Sequence, residues 1–336
     1  MAVNTAVSED SLFIPLIDFS LFLHGSDGDK LSVAKAMTNG FKDAGFVYIK
    51  NHGIPAEIIA RVFSESAKFF TRPQEQKDSL AWTTPEANRG YTGHGREKVT
   101  NLNDKLAVEE LRAAVPDLKE SMEIGRDDEP GLPNRWPDKI DKEGEAFRGT
   151  MQEFFEICKN LHVIVMRSIG LGMGLDEGFF DQYTDGGDNT LRLLHYPSVH
   201  REVFLKNKSQ VRAGDHSDYG RSFQAISPFE LTILVLSPKG TFVNATPIPG
   251  TIVINAGDLL ARWSNGMIRS TRHRVVEPVA SPESGVYPAR YSIAYFCNPN
   301  FDKFIDALPG TFDKEGKKYP GVNSGEYLVR RLTATY

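Results

Sequence analysis

The chain has 336 residues, 40% of them hydrophobic and 25% charged, which is enough for one large domain or two closely associated lobes and too apolar for a disordered chain. Its formal charge is −5, and its 39 basic residues are scattered without forming tracts, which excludes the electrostatic footprint of a nucleic-acid binder and leaves a small molecule as the expected partner. Its two cysteines form neither a disulfide framework nor a zinc spacing, Met1 to Asp10 lack the pattern of a signal sequence, and no apolar run is long enough for a bilayer; the chain is expected to be cytoplasmic, with no membrane partner and with a nuclear pool compatible.

Phe13 to Asp18 predicts a strand, Lys30 to Asp43 a helix, and Gly45 to Lys50 a second strand that Asn51-His52-Gly53 ends as a turn. Pro55 suits the first turn of a helix running to about Phe70, with Phe63, Ala67 and Phe70 on its apolar face. From Thr83 to Trp136 glycine, proline and charge dominate, so mostly loop is expected, with Arg89-Gly90-Tyr91 and Lys119 to Ile124 as short ordered pieces. Phe147 to Leu171 carries Phe154, Phe155, Cys158, Leu161, Ile164 and Val165 at spacings of three and four, the pattern of a long scaffold helix. Beyond Asn189 short strands separated by Gly, Pro and Asn predict a β-sandwich or barrel.

The chemistry lies in this last part. If Gly214 to Gly220 is extended, the period of two puts His216 and Asp218 on one face. Asn265-Gly266 reads as a two-residue hairpin turn between strands Asp258 to Trp263 and Met267 to His273, so that Thr271, His273 and Val275 face inward. Arg290, Ser292, Ala294 and Phe296 share one face of the strand Ala289 to Cys297.

Each of these has an ordinary structural explanation: an H-x-D triplet arises by chance, an inward histidine packs in a core, and a buried arginine pairs with an internal carboxylate. Together they have a chemical one. Two imidazoles and a carboxylate that leave coordination positions open form the facial triad of non-haem Fe(II) oxygenases, and an arginine with a hydroxyl two residues on suits a carboxylate co-substrate.

These residues, with Ile14 to Asp18, Gly45 to Ile54, Arg89 to Tyr91, Tyr196-Pro197, Gly250 to Asp258 and Ser270 to Val275, resemble the 2-oxoglutarate and Fe(II)-dependent dioxygenases of the isopenicillin N synthase-like (iron/ascorbate-dependent oxidoreductase) family across nearly the whole chain. The resemblance implies an α+β fold with a mainly β core, a double-stranded β-helix (jelly roll) with flanking helices and an N-terminal α/β lobe. It divides the chain into an N-terminal lobe (1–135), a scaffold helix and connection (136–184), a dioxygenase domain (185–302) and a C-terminal extension (303–336).

It further implies that His216, Asp218 and His273 ligate Fe(II), that Arg290 and Ser292 bind the distal carboxylate of 2-oxoglutarate, and that Tyr196 also contacts this co-substrate. The expected reaction converts 2-oxoglutarate and O2 to succinate and CO2 while a small organic molecule is oxidised, with hydroxylation as the default outcome, ascorbate as an optional reductant, and a monomer as the working unit. Arg89, Tyr91, His195 and Phe296 are the substrate-contact candidates.

Residues 221–236 keep the family's length but lack its glycine pair and polar turn, and Ser227-Pro228 reads as a turn. Competing readings are a catalytically silent binding protein of this fold, an oxidase of the family that does not use 2-oxoglutarate, and a mononuclear hydrolase, which would not need the Arg-x-Ser socket.

Overall fold

Two larger sheets carry the fold in the computed structural model, which describes residues 4–84, 87–95, 117–206, 212–218, 221–225, 233–276, 284–312, 314 and 316–335. Their strands are β1 (Asn4–Glu9), β2 (Leu12–Asp18), β3 (Phe46–Lys50), β4 (Gly90–Thr92), β5 (Glu120–Ile124), β6 (Thr190–Tyr196), β7 (Ala213–His216), β8 (Arg221–Ala225), β9 (Ile233–Leu236), β10 (Phe242–Ala245), β11 (Thr251–Ala256), β12 (His273–Val275) and β13 (Arg290–Cys297). The large sheet runs β1-β2-β3-β11-β8-β13-β6-β5-β4, with β2 and β3 parallel, and the small one β10-β9-β12-β7.

Alternation along β13 shows why both faces of the large sheet are covered. Ile293, Tyr295 and Cys297 point to one side, where a helix from Lys142 to Gly172 brings Phe154, Phe155, Cys158 and Leu161 into the same apolar cluster. Ala294 points to the other, into a second cluster with Phe46, Tyr48, Val253, Leu194 and Tyr196 of the large sheet and Ala213, Val235, Val243 and Val275 of the small one. The space between the two sheets is therefore where side chains of the C-terminal half converge.

Five helices position these layers: α1 (Asp27–Asp43), α2 (Ala56–Phe70), α3 (Lys142–Gly172), α4 (Asp258–Trp263) and α5 (Ser324–Thr335). Ser26 and Asp29 form a reciprocal capping box that starts α1 three residues before the predicted boundary. Pro55 caps α2 from an extended conformation, and the buried face is Val62, Glu65, Ser66, Phe69 and Phe70, with Phe63 and Ala67 on its flank. That shift follows from packing: Phe69 stacks on Phe147 of α3 at 4.9 Å, which rotates the helix toward its scaffold neighbour.

Asp258 to Trp263 forms a helix and not the expected strand, burying Leu259, Leu260, Ala261 and Trp263. Asn265 and Gly266 do adopt the left-handed conformations anticipated, with φ of 51° and 79°. They end a helix, though, the Gly266 N–H donating to the Ala261 carbonyl at 2.7 Å, because a left-handed pair closes a helix C-terminus as readily as a hairpin. Strand β7 stops at His216, so Asp218 lies just beyond it and the two residues do not share one strand. Ser227-Pro228 falls outside the described residues; β8 ends before it and β9 begins after it.

Candidate metal and co-substrate site

His216 and His273 stand opposite each other in the register of β7 and β12, their ring centroids 4.4 Å apart. Asp218 closes the group: one oxygen lies 3.6 Å from His216 Nε2 and the other 3.8 Å from His273 Nε2. The three side chains each offer a ligand atom, all within 4.8 Å of one another, and they are the one such group among the described residues.

Neighbouring groups orient each member. His216 Nδ1 faces the Gly214 carbonyl at 2.8 Å and His273 Nδ1 the Thr271 carbonyl at 3.3 Å, which places the N–H on Nδ1 and leaves both Nε2 lone pairs toward Asp218. Asn255 Nδ2 donates to Asp218 Oδ2 at 2.6 Å. Burial, reinforced by the charge His273 would carry, pushes the His216 imidazole down to about 3, while Asp218 opposes that shift. A neutral imidazole at His216 beside a carboxylate is the protonation state a divalent cation requires of that ligand.

Arg290 and Ser292 lie on the inward face of β13, 4% and 2% exposed, as the alternation predicted. Tyr196 is the cross-strand partner of Arg290, and the guanidinium lies 5.8 Å from its ring centroid. A guanidinium, a hydroxyl and a phenol gathered inside an apolar enclosure suit one ligand carboxylate.

The four substrate-contact candidates separate. Phe296 faces inward, on the same rung of the large sheet as Phe46, Asn255 and Thr190, and so shares the side from which Asn255 reaches Asp218. Arg89 is buried at the Asp188–Thr190 end of the sheet, donating to the Ala87 and Asn88 carbonyls, its guanidinium against Gly125. Tyr91 and His195 turn to the opposite face, with Phe69 and Phe70 of α2. There they converge on Glu120, which His195 Nδ1 approaches at 2.6 Å and Lys77 Nζ at 2.9 Å, and to which Tyr91 donates a short hydrogen bond.

This Glu120 hub braces β4, β5 and β6 from behind. Burial alone would raise the Glu120 carboxyl, but the hydrogen bonds from His195, Tyr91 and Lys77 overrule it and bring it down to about 2 from an ordinary 4.5. A carboxyl whose pKa is depressed by folding contributes stability that is fully present above its unfolded value and lost as pH falls through the folded one. Glu120→Gln is expected to cost roughly 3 kcal/mol of unfolding free energy at pH 7. Urea unfolding should also show that the variant lacks the parent's steep loss between pH 4.5 and 2; equal acid sensitivity in both chains would contradict the assignment.

Alternation missed two inward residues that the same rule could have found. Arg192 and Glu123 are direct cross-strand partners on β6 and β5, with Arg192 Nε 2.8 Å from Glu123 Oε1. The Arg192 guanidinium also lies 5.2 Å from the Phe296 ring centroid.

Both the N-terminal and the C-terminal parts of the chain match known families. Residues 14–139 match the family described as non-haem dioxygenase in morphine synthesis N-terminal, and residues 187–299 the 2OG-Fe(II) oxygenase superfamily. The 2-oxoglutarate-Fe(II) type oxidoreductase ppzD of Metarhizium rileyi is 34% identical over 95% of this chain and 90% of its own length. A full-length Neurospora crassa protein, crystallised in complex with alpha-KG and thymine, superposes with a TM-score of 0.90 at 55% identity, covering 99% of this chain and 100% of that one. The same protein in complex with alpha-KG and 5-formyluracil gives 0.88 at 51% identity over 99% of each chain.

The chain belongs to the 2-oxoglutarate/Fe(II)-dependent dioxygenases of the isopenicillin N synthase-like family. It is accordingly an oxidoreductase that oxidises a small organic molecule with 2-oxoglutarate as co-substrate.

Proposed function

We propose that the chain hydroxylates a pyrimidine base at an exocyclic carbon, with thymine as the leading candidate. The observation that carries this reading is the 55% identity, over nearly the full length of both chains, to a protein crystallised with thymine. Thymine and 5-formyluracil carry the same exocyclic carbon at two oxidation levels, which marks that carbon as the reacting position.

In this reading His216, Asp218 and His273 hold Fe(II), Arg290 and Ser292 hold the distal carboxylate of 2-oxoglutarate, and Tyr196 walls that carboxylate from the apolar cluster. The two sheets around it are the halves of a double-stranded β-helix. With iron and 2-oxoglutarate bound, the centre supplies O2 activation coupled to formation of succinate and CO2. The protein's own contribution is orientation and exclusion of water. Phe296 presents a ring face for a planar heterocycle, and the Arg192–Glu123 pair beside it offers a donor and an acceptor to the polar edge of the base. A monomer, with ascorbate as reductant, completes the proposal on family resemblance.

Anaerobic reconstitution with Fe(II), followed by a screen of pyrimidines and amino acids under O2, tests it. Thymine should stimulate 2-oxoglutarate consumption with matching succinate, and Phe296→Ala should raise its KM about tenfold, the worth of one aromatic stack. Stimulation by amino acids and by none of the pyrimidines would defeat the substrate class.

A further inference from the structure

The run Asn255-Ala256-Gly257-Asp258 touches Asp218 twice. Asn255 donates to its carboxylate, and the Asp258 N–H donates to its backbone carbonyl at 2.9 Å. Asp258 opens α4, and its side chain works outward in two further directions. Oδ1 accepts from Ser270 Oγ at 2.7 Å, three residues before His273. Oδ2 accepts from Tyr327 Oη at 3.1 Å, with Arg331 Nη2 at 3.9 Å. Tyr327 and Arg331 are four apart on α5, so one face of the C-terminal helix addresses one carboxylate. Tyr327 is 5% exposed, and the Arg262 guanidinium lies 5.2 Å from its ring centroid, which fixes the phenol in place.

We propose that Asp258 is a positioning residue that makes the C-terminal helix part of the metal centre: Tyr327 and Arg331 hold its carboxylate, and through it the segments that carry Asp218 and His273. The inference rests on the reading of His216, Asp218 and His273 as metal ligands. Those three come from two segments, the run 216–218 and the start of β12, and such a set keeps its geometry only when the segments are braced against one another. The β7–β12 register ties His216 to His273, and Asn255 ties Asp218 to the large sheet. Asp258 links the Asp218 segment to the loop entering β12, and α5 supplies its outer partner. Tyr327, Leu328 and Leu332 are also buried, so α5 contributes to packing as well. The two roles separate experimentally, because a purely packing role is indifferent to one phenolic oxygen.

Co(II) is the probe, titrated into the metal-free full-length chain and followed by visible absorption, with the melting temperature of each metal-free variant measured alongside. Tyr327→Phe is expected to bind Co(II) about tenfold more weakly, and Asp258→Ala at least as weakly as that. Asp258→Asn, which can still accept from Ser270, should recover part of the affinity. Thr333→Ala, on the same helix and at an exposed hydroxyl that donates to the Val329 carbonyl, should match the parent. The melting temperature of Tyr327→Phe should stay close to the parental one. Parental Co(II) affinity in Tyr327→Phe and Asp258→Ala would overturn the clamp alone. So would losses that follow a fall in melting temperature across all the variants. Failure of the parent chain to bind Co(II) would remove the metal centre and the clamp together.

Discussion

Alanine at His216 or at Asp218 should abolish iron-dependent 2-oxoglutarate consumption, lowering turnover by roughly three orders of magnitude or more, a barrier increase of about 4 kcal/mol. Two ligands cannot hold Fe(II) with the geometry of three, and the neighbouring groups cannot substitute. Asn255 would lose its acceptor in Asp218→Ala, and in His216→Ala the Gly214 carbonyl would lose its donor. Fe(II) binding, measured anaerobically, should fall in the same variants while the far-ultraviolet circular dichroism of the metal-free chain is preserved. Parental consumption by either variant would remove the metal centre from this triad.

Arg290→Leu is expected to raise the KM for 2-oxoglutarate by roughly a hundredfold to a thousandfold, since truncating one partner of a buried charge pair costs about 2–5 kcal/mol. The guanidinium is 4% exposed and held beside the Tyr196 ring, so water cannot readily replace it. Arg290→Lys should recover only part of the loss: an ammonium restores the charge but not the two-pronged geometry that matches a carboxylate. Titration of 2-oxoglutarate into the Fe(II)-loaded variants reads the effect directly. An unchanged dissociation constant in Arg290→Leu would move the co-substrate elsewhere.

Side-chain alternation made much of this site legible in advance. It placed Arg290, Ser292, Ala294 and Phe296 on one face of β13, and the structure puts Ala294 in the inner cluster with Phe296 packed against it. The same rule separates neighbours: with Tyr196 inward, His195 must face outward, where it meets Glu120 and Tyr291. Applied a few residues upstream it also brings in Arg192, which the Tyr196-Pro197 pair alone leaves unnoticed. Asn265-Gly266 was legible as a pair of left-handed residues but not as the end of a helix, because local conformation does not say which element precedes it. The pairing of β3 with β11 joins residues about 200 apart, and no local pattern encodes a partner so distant.

That pairing has a consequence for how the protein is made. Val47 stands beside Ile254 in the middle of the large sheet, so β1, β2 and β3 have no partner on their inner edge until β11 exists. On a ribosome adding about 5–20 residues per second, the N-terminal strands wait roughly 10 to 40 s for that neighbour, with an apolar edge open to other chains. Yield in cells should therefore depend on chaperone supply and elongation rate more steeply than the finished fold's stability would imply, and the N-terminal half expressed alone should aggregate.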